Sequence, residues 1–260
     1  MGNPYFDGRS LPQYASSLLL YADVLGTRER SASRDSLLDA YDSISTHLLL
    51  SGQDVGWAEG AISSFSDTVI YSELLTDAAP QQLIAVIKRA AQFQLANILT
   101  AKGPIRGAIT IGDFFHDSRL AYGPALVAAV ELEEKRARHP RIILSDEVAN
   151  LILRLESDCD GFIWLDEADS TYFVGYLSVT QLIPIMGASG SPAQALRIHK
   201  LIIEEKLRQG DAIEKYSWLA TYHNCYISRA CPERNDLEIG LQSPISRDTP
   251  ISLRPIEETA

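Results

Sequence analysis

The sequence predicts an α+β fold: one mixed, largely antiparallel sheet under helices, a ferredoxin-like arrangement, with a helical C-terminal segment. Three observations carry this reading. Strand-like and helix-like runs follow one another without the regular strand-helix rhythm of a doubly wound parallel sheet. Two pairs of neighbouring β-prone runs, near 61–72 and 161–178, read as hairpins, which are antiparallel by construction. Neither G-x-G-x-x-G nor G-x-x-x-x-G-K-[ST] follows a strand, so the commonest nucleotide cradles of parallel sheets are missing.

Residues 15 to 25 read as a buried strand that ends at Gly26-Thr27. From Asp35 the apolar positions Leu37, Leu38, Tyr41, Ile44 and Leu48 keep helical spacing, and Gly52 stands where a C-terminal cap belongs. Ala61 to Phe65 and Thr68 to Ser72 meet at Ser66-Asp67, which puts Asp67 at a hairpin tip. Pro80 opens a helix through Leu83, Ile84, Ile87, Ala91, Leu95 and Leu99 that Gly103-Pro104 stops. Ile105 to Ile111 gives a strand, Pro124 starts a helix to about Arg138, and Arg141 to Leu144 returns as a strand. Ser145 caps a further helix reaching Leu155, and strands are expected at 161–165 and 171–178. Ser191-Pro192 starts a helix whose pattern persists to about Tyr226, and residues 232–260 look irregular. The expected organisation is a sheet domain over 1–185, a helical segment over 186–231 that packs on it or at a subunit contact, and a tail over 232–260.

With 260 residues, 46% of them hydrophobic and 22% charged, the chain has material for a real core. Its 34 acidic residues exceed its 23 basic ones, giving a formal charge of −11 that opposes nucleic-acid and anionic-membrane binding. Cys159, Cys225 and Cys231 are odd in number, lack ligand-like spacing and follow no cationic-then-apolar leader, so a cytoplasmic location is expected. The longest apolar runs, such as Leu18 to Ala22, fall far short of a membrane span. His47, His116, His139, His199 and His223 are scattered without helical pairing, which reads as surface or core histidine rather than zinc ligation. Gly187 to Ser191 breaks the G-x-S-x-G pattern by one position and reads as a linker and cap.

Two aspartates stand out. Asp23 is flanked by Leu19, Leu20, Val24 and Leu25 near a strand end, where an unpartnered carboxylate is costly to bury. Asp67, at the edge of the hairpin, is placed to reach it. Two carboxylates brought together repel unless a proton or cation is shared, and hard divalent ions are the common answer. Each alone reads as a strand end or a turn cap. Together, with the Gly26-Thr27 turn following Asp23, they suit two Mg²⁺ or Mn²⁺ ions gripping a triphosphate.

The segment Tyr21-Ala-Asp-Val-Leu-Gly-Thr27 resembles the first metal-binding motif of class III nucleotidyl cyclases, and Phe65-Ser-Asp-Thr68 resembles the hairpin that carries their second metal Asp. Arg106 to Gly112 looks like the next core strand, and Tyr122-Gly-Pro-Ala-Leu-Val127 like the turn into the following helix. Within that superfamily the combination, with Glu131-Leu-Glu133 and Pro140-Arg-Ile-Ile after it, resembles the bacterial pyrimidine cyclases of Pycsar antiphage defence. The resemblance covers roughly residues 15–180. It implies a homodimeric cytoplasmic enzyme that makes 3',5'-cyclic UMP and pyrophosphate from UTP, with an effector that senses the product. It implies metal ligation by Asp23, Asp67 and the Val24 carbonyl, and phosphate binding by the amides of Leu25, Gly26 and Thr27.

The departures are as informative. The helix positions where these cyclases carry an Asn and an Arg for ribose orientation and transition-state charge hold Val127 and Glu131. Arg106, Lys135, Arg136 and Arg141 are the cations near enough in sequence to substitute, Arg106 first because it belongs to a core strand. Adenylate cyclases of this class read their base with Lys and Asp, and guanylate cyclases with Glu and Cys, at positions that here hold Ser63 and Leu120. Neither purine pair is present, which favours a pyrimidine, with uncharged Ser63 on the base side. The alternatives are a catalytically silent nucleotide-binding or dimerisation module, and a cyclase acting on CTP or ATP.

Overall fold

The computed structural model describes residues 5–7, 11–25, 38, 60–77, 79–100, 102–155, 161–182, 190–210, 212–240 and 253–255. The helix expected from Asp35 to Gly52 lies outside them except for Leu38, and Gly26, Thr27 and Cys159 lie wholly outside.

Strand β1 (Ala15–Val24) is flanked on one side by β3 (Thr68–Leu74) and on the other by β4 (Ile105–His116), both antiparallel to it. Successive side chains alternate between faces. Leu18, Leu19, Leu20 and Ala22 are nonetheless all fully buried, so both faces of β1 are covered. Helix α1 (Ala79–Leu99) lies on the face of Leu20 and its neighbour Tyr71, over whose ring the Arg89 guanidinium sits at 4.3 Å. Helix α2 (Pro124–Arg136) lies on the face of Leu19 and its neighbour Thr110, whose hydroxyl donates to the Ala125 carbonyl at 3.1 Å. Asp23 and Tyr21 share the α2 face by parity.

The remaining strands extend this core. β2 (Ala61–Phe65) pairs with β3 across a two-residue turn at Ser66-Asp67, and β5 (Ala121–Tyr122) pairs with the end of β4. β6 (Ile142–Leu144) runs parallel to β4; β8 (Thr171–Val174) follows antiparallel, then β7 (Ile163–Asp166) and β9 (Leu253–Pro255). Among the described residues the sheet order is β2-β3-β1-β4-β6-β8-β7-β9, mixed and largely antiparallel as expected. Gly123 opens α2 at φ 150°, and a Cβ there would lie 2.7 Å from the Asp113 carbonyl oxygen, so this turn requires glycine. Ser145 caps α3 (Asp146–Ile152) by accepting from the Val148 amide.

Three expectations need correction. β4 continues past Ile111 to His116 because β1 and then β5 supply partners along its whole length. The strand expected over 171–178 ends at Val174, and Tyr176–Leu182 winds into a 3₁₀ helix. The single C-terminal helix is two, α4 (Pro192–Gln209), capped by Ser191, and α5 (Ile213–Ala230). Gly210, left-handed at φ 76°, ends α4, and the chain doubles back. The tail also carries order beyond expectation, a 3₁₀ turn at Asn235–Leu237 and the strand β9.

The α4–α5 hairpin packs on the β7–β8 end of the sheet. Trp164, Phe173, Trp218 and Tyr222 form an aromatic cluster with centroid separations from 5.2 to 6.5 Å. Beneath it runs a buried polar chain: Tyr176 Oη to His199 Nε2 at 2.8 Å, His199 Nδ1 to His223 Nδ1 at 2.9 Å, and His223 Nε2 to the Leu237 carbonyl at 2.9 Å. The carbonyl can only accept, so His223 donates from Nε2, His199 donates from Nδ1, and Tyr176 donates to His199. Burial pushes both imidazoles down, His223 to about 4, so both are neutral. No helix among the described residues is long and apolar enough to cross a membrane.

Candidate active site

The hairpin tip that carries Asp67 is fastened to the end of β1 beside Asp23. Ser66 turns the hairpin in the left-handed region at φ 58°, and the carbonyl of Asp67 accepts from the Val24 amide at 3.0 Å, which locks the tip against the end of β1. Asp23 stands in register with Thr68 on one side and Arg106 on the other. Its carboxyl, half-buried, is held above the usual range by burial first and then by the charge of Asp67. Arg106, a hydrogen bond from Thr68 and the charge of Lys215 oppose the rise. The charge of Asp67 is thus felt at Asp23 across the strand end.

The surrounding groups were less legible. Glu133, on the inner side of α2 and only 2% exposed, forms an ion pair with Arg106 Nε. Burial raises the Glu133 carboxyl, the Arg106 charge opposes this, and Asp23 adds to it. Tyr21 lies on the same face, and its phenol, bonded to Thr68, is raised by burial and by Glu133 and Asp23. Two carboxylates, Glu133 and Asp23, therefore feel the charge of one guanidinium. Glu133 has no local mark in the sequence beyond its place in an amphipathic helix, and only the helix's seat on β1 and β4 brings it to Asp23.

The donor set fits a hard divalent cation. It offers two carboxylates whose mutual repulsion a cation would relieve, next to backbone carbonyls at a strand end. Among the described residues no cluster of three or more His, Cys, Asp or Glu side chains has metal-holding geometry. Magnesium sites on polyphosphate substrates commonly use one or two carboxylates and take the remaining oxygens from water and phosphate.

Other candidate residues fare differently. The Leu25 amide donates to the Pro104 carbonyl at 2.9 Å, so it is not free to bind phosphate; that part of the expectation falls. Ser63 is hydrogen-bonded to His116 Nε2 at 2.8 Å, and His116 Nδ1 bonds Ser72 at 2.7 Å. Burial lowers His116, so Ser63 and Ser72 face an uncharged imidazole. Val127 and Leu120 are exposed, and Glu131 points outward in an ion pair with Lys135 at 2.7 Å. Arg136 pairs with Asp146 at 3.1 Å. Arg141, fully buried, bonds Asp166 at 2.5 Å and also Asp169. All four cations proposed as substitutes are thus held by carboxylates of this chain.

No sequence-family profile matches the chain, and no curated protein matches it in sequence. Among solved structures it is similar to the adenylyl cyclase CyaB from P. aeruginosa, at 20% identity over 62% of this chain and 94% of that one, with a TM-score of 0.45. It is similar to a bacterial light-regulated adenylyl cyclase, at 18% identity over 67% of this chain and 99% of that one, TM-score 0.42. The guanylate cyclase domain of RhGC from Catenaria anguillulae, solved with GTP, is 16% identical over 63% of this chain and 98% of that one, TM-score 0.40.

Proposed function

We propose that the chain is a nucleotidyl cyclase that converts UTP to 3',5'-cyclic UMP and pyrophosphate, working as a cytoplasmic homodimer whose product signals to an effector in antiphage defence. The observation that carries the reading is the convergence of Asp23 and Asp67 at the end of β1, on residues that resemble both metal motifs of class III cyclases. Asp23 and Asp67, with the Val24 carbonyl, would hold two Mn²⁺ or Mg²⁺ ions. When bound, such ions lower the pKa of the ribose 3'-hydroxyl and neutralise triphosphate charge. Arg106, pinned by Glu133, keeps a fixed positive charge beside Asp23. Gly26 and Thr27 remain the candidates for amide contacts to phosphate.

Support for a pyrimidine comes from the base-side position, where Ser63 and neutral His116 offer a short uncharged pair in place of the Lys or Glu of purine cyclases. A site built for one hydrogen-bonding edge rejects another strongly, because the wrong edge leaves buried groups unpaired. Support for a homodimer comes from apolar side chains left in solvent: Phe65 at the end of β2 at 84% exposure, Val127 on α2 at 58% and Tyr122 on β5 at 60%.

Incubation with Mn²⁺ and each nucleoside triphosphate in turn tests the reading. Cyclic UMP is expected; cyclic CMP or cyclic AMP would reassign the base. A second reading, a silent nucleotide-binding module, is favoured by Val127 and Glu131 at the positions of the missing Asn and Arg. It predicts metal-dependent nucleotide binding with no cyclic product.

A further inference from the structure

Ser63 ends a short hydrogen-bonded series that begins in the interior. Its Oγ lies 2.8 Å from His116 Nε2, and His116 Nδ1 lies 2.7 Å from Ser72 Oγ. Ser72 and His116 are 1% and 3% exposed, whereas Ser63 is partly exposed. Among the described residues the imidazole is the one hydrogen-bond partner of each hydroxyl. A neutral imidazole donates from one nitrogen and accepts at the other, and burial keeps His116 neutral. Were Nδ1 protonated, it would donate to Ser72, and the Ser72 hydrogen would be left in the interior with no acceptor, a costly state. With Nε2 protonated, Ser72 donates to Nδ1, Nε2 donates to Ser63, and every interior hydrogen has an acceptor. The hydrogen of Ser63 itself is then free for a ligand.

Ser63 shares a face of the sheet with Asp23. It stands in register with Ile70 of β3, and Ile70 with Tyr21 of β1, two residues before Asp23 on the same strand. A strand spacing of about 4.8 Å and a rise of about 3.4 Å per residue place the Ser63 and Asp23 backbones about 12 Å apart. Tyr21, Thr68, Ile70 and Ser63 are all partly exposed on this face. A nucleotide with its phosphates at Asp23 and Asp67 can therefore lie along this strip and bring a base edge to Ser63.

We propose that His116 and Ser72 are positioning residues that hold Ser63 as a hydrogen-bond donor, so that the site takes a base with a carbonyl oxygen at its 4-position, as in uracil, over one with an amino group there, as in cytosine. The inference rests on the cyclase reading for its ligand and deepens it. The choice between the two pyrimidines is made by a buried hydroxyl that never touches the substrate. A site built around one polar edge rejects the other because an amino hydrogen would meet the Ser63 hydrogen and leave both unpaired.

The test has two arms on the full chain. The ¹⁵N shifts of the His116 ring in the metal-free protein report which nitrogen is protonated, and Nε2 is expected. Calorimetry with Mn²⁺ then compares the 3'-deoxy triphosphates of uridine and cytidine, which cannot cyclise. Wild type should favour the uridine nucleotide by roughly tenfold, the scale of one hydrogen bond made or missed in a buried site. In His116→Phe/Ser72→Ala the new ring sits beside Phe114 as the imidazole does, no interior hydroxyl is stranded, and Ser63 is free to donate or accept. Its preference should fall to within about threefold, chiefly because the cytidine nucleotide binds more tightly. Ser63→Ala should lose the preference the other way, through weaker binding of the uridine nucleotide. A protonated Nδ1, a wild type that favours cytidine, or a double variant that keeps the wild-type preference overturns the proposal. A wild type that binds neither nucleotide overturns it together with the cyclase reading, whereas binding with the expected preference but no cyclic product from UTP supports it and sinks the cyclase reading alone.

Discussion

Replacing Asp67 with Asn should stabilise the metal-free protein and abolish its response to metal. The Asp23 carboxyl is raised by burial and by Asp67, so the ionised pair is under strain at neutral pH. A carboxyl raised in the folded state contributes stability below its unfolded pKa and loses it as pH rises through the folded value; at pH 7.5 the penalty is therefore in force. Two unit charges about 5 Å apart repel by about 3 kcal/mol at an effective dielectric of 20. Asp23 is only half-buried, and solvent screening reduces this to about 1 kcal/mol. For a chain of this size that corresponds to a melting temperature about 2–4 °C higher. A cation at 100 times its dissociation constant stabilises wild type by about 2.7 kcal/mol. Thermal unfolding of wild type and Asp67→Asn, each in EDTA and in saturating Mn²⁺, gives the four values needed. Asp67→Asn should melt above wild type in EDTA and below it in Mn²⁺. A variant that melts lower in EDTA and gains as much from Mn²⁺ as wild type would refute the reasoning.

Three further outcomes are expected. Arg141→Met strands Asp166 and Asp169 at the sheet edge and should cost about 3–5 kcal/mol in urea unfolding, with most of it recovered in Arg141→Met/Asp166→Leu. Acid should weaken the fold between pH 6.5 and about 4, because His223 is neutral when folded and takes a proton when unfolded. The gap is worth roughly 3 kcal/mol, and His223→Gln should flatten the pH dependence of the urea midpoint over that range. Arg106→Ala leaves Glu133 buried beside Asp23 without its cation, at a cost of about 1–3 kcal/mol near pH 8; since the Glu133 carboxyl is already raised, the deficit should shrink at pH 5 as it takes up a proton.

Most of the strands were legible because physical necessity writes them locally. Leu18 to Ala22 is continuously apolar because helices cover both faces of β1, and Ser66-Asp67 between two β-prone arms admits little but a tight turn. Asp23 and Asp67 stand out in the sequence because a carboxylate inside an apolar strand needs a partner, and the hairpin offers one. Glu133 and His116 were not, because their positions are set by where α2 and the end of β4 land, and no local spacing encodes that. The break at Gly210 was hidden by apolar periodicity that continues across it, and β9 by its three-residue length and a partner some ninety positions earlier. His199 and His223 pair across the two helices of the hairpin, a meeting that exists only once Gly210 turns the chain.

β9 has a consequence for how the sheet is bordered beside β7. It lies along β7 as the last strand of the sheet among the described residues, and Pro255 has no amide hydrogen to offer a further strand. Shortening the protein at residue 240 would strip away this stopper and leave β7 as a bare template for sticking to neighbours. Affinity handles and fusions therefore belong where they do not pull Leu253–Pro255 away from β7, and insolubility of a shortened version would speak of an uncovered margin rather than of a damaged interior.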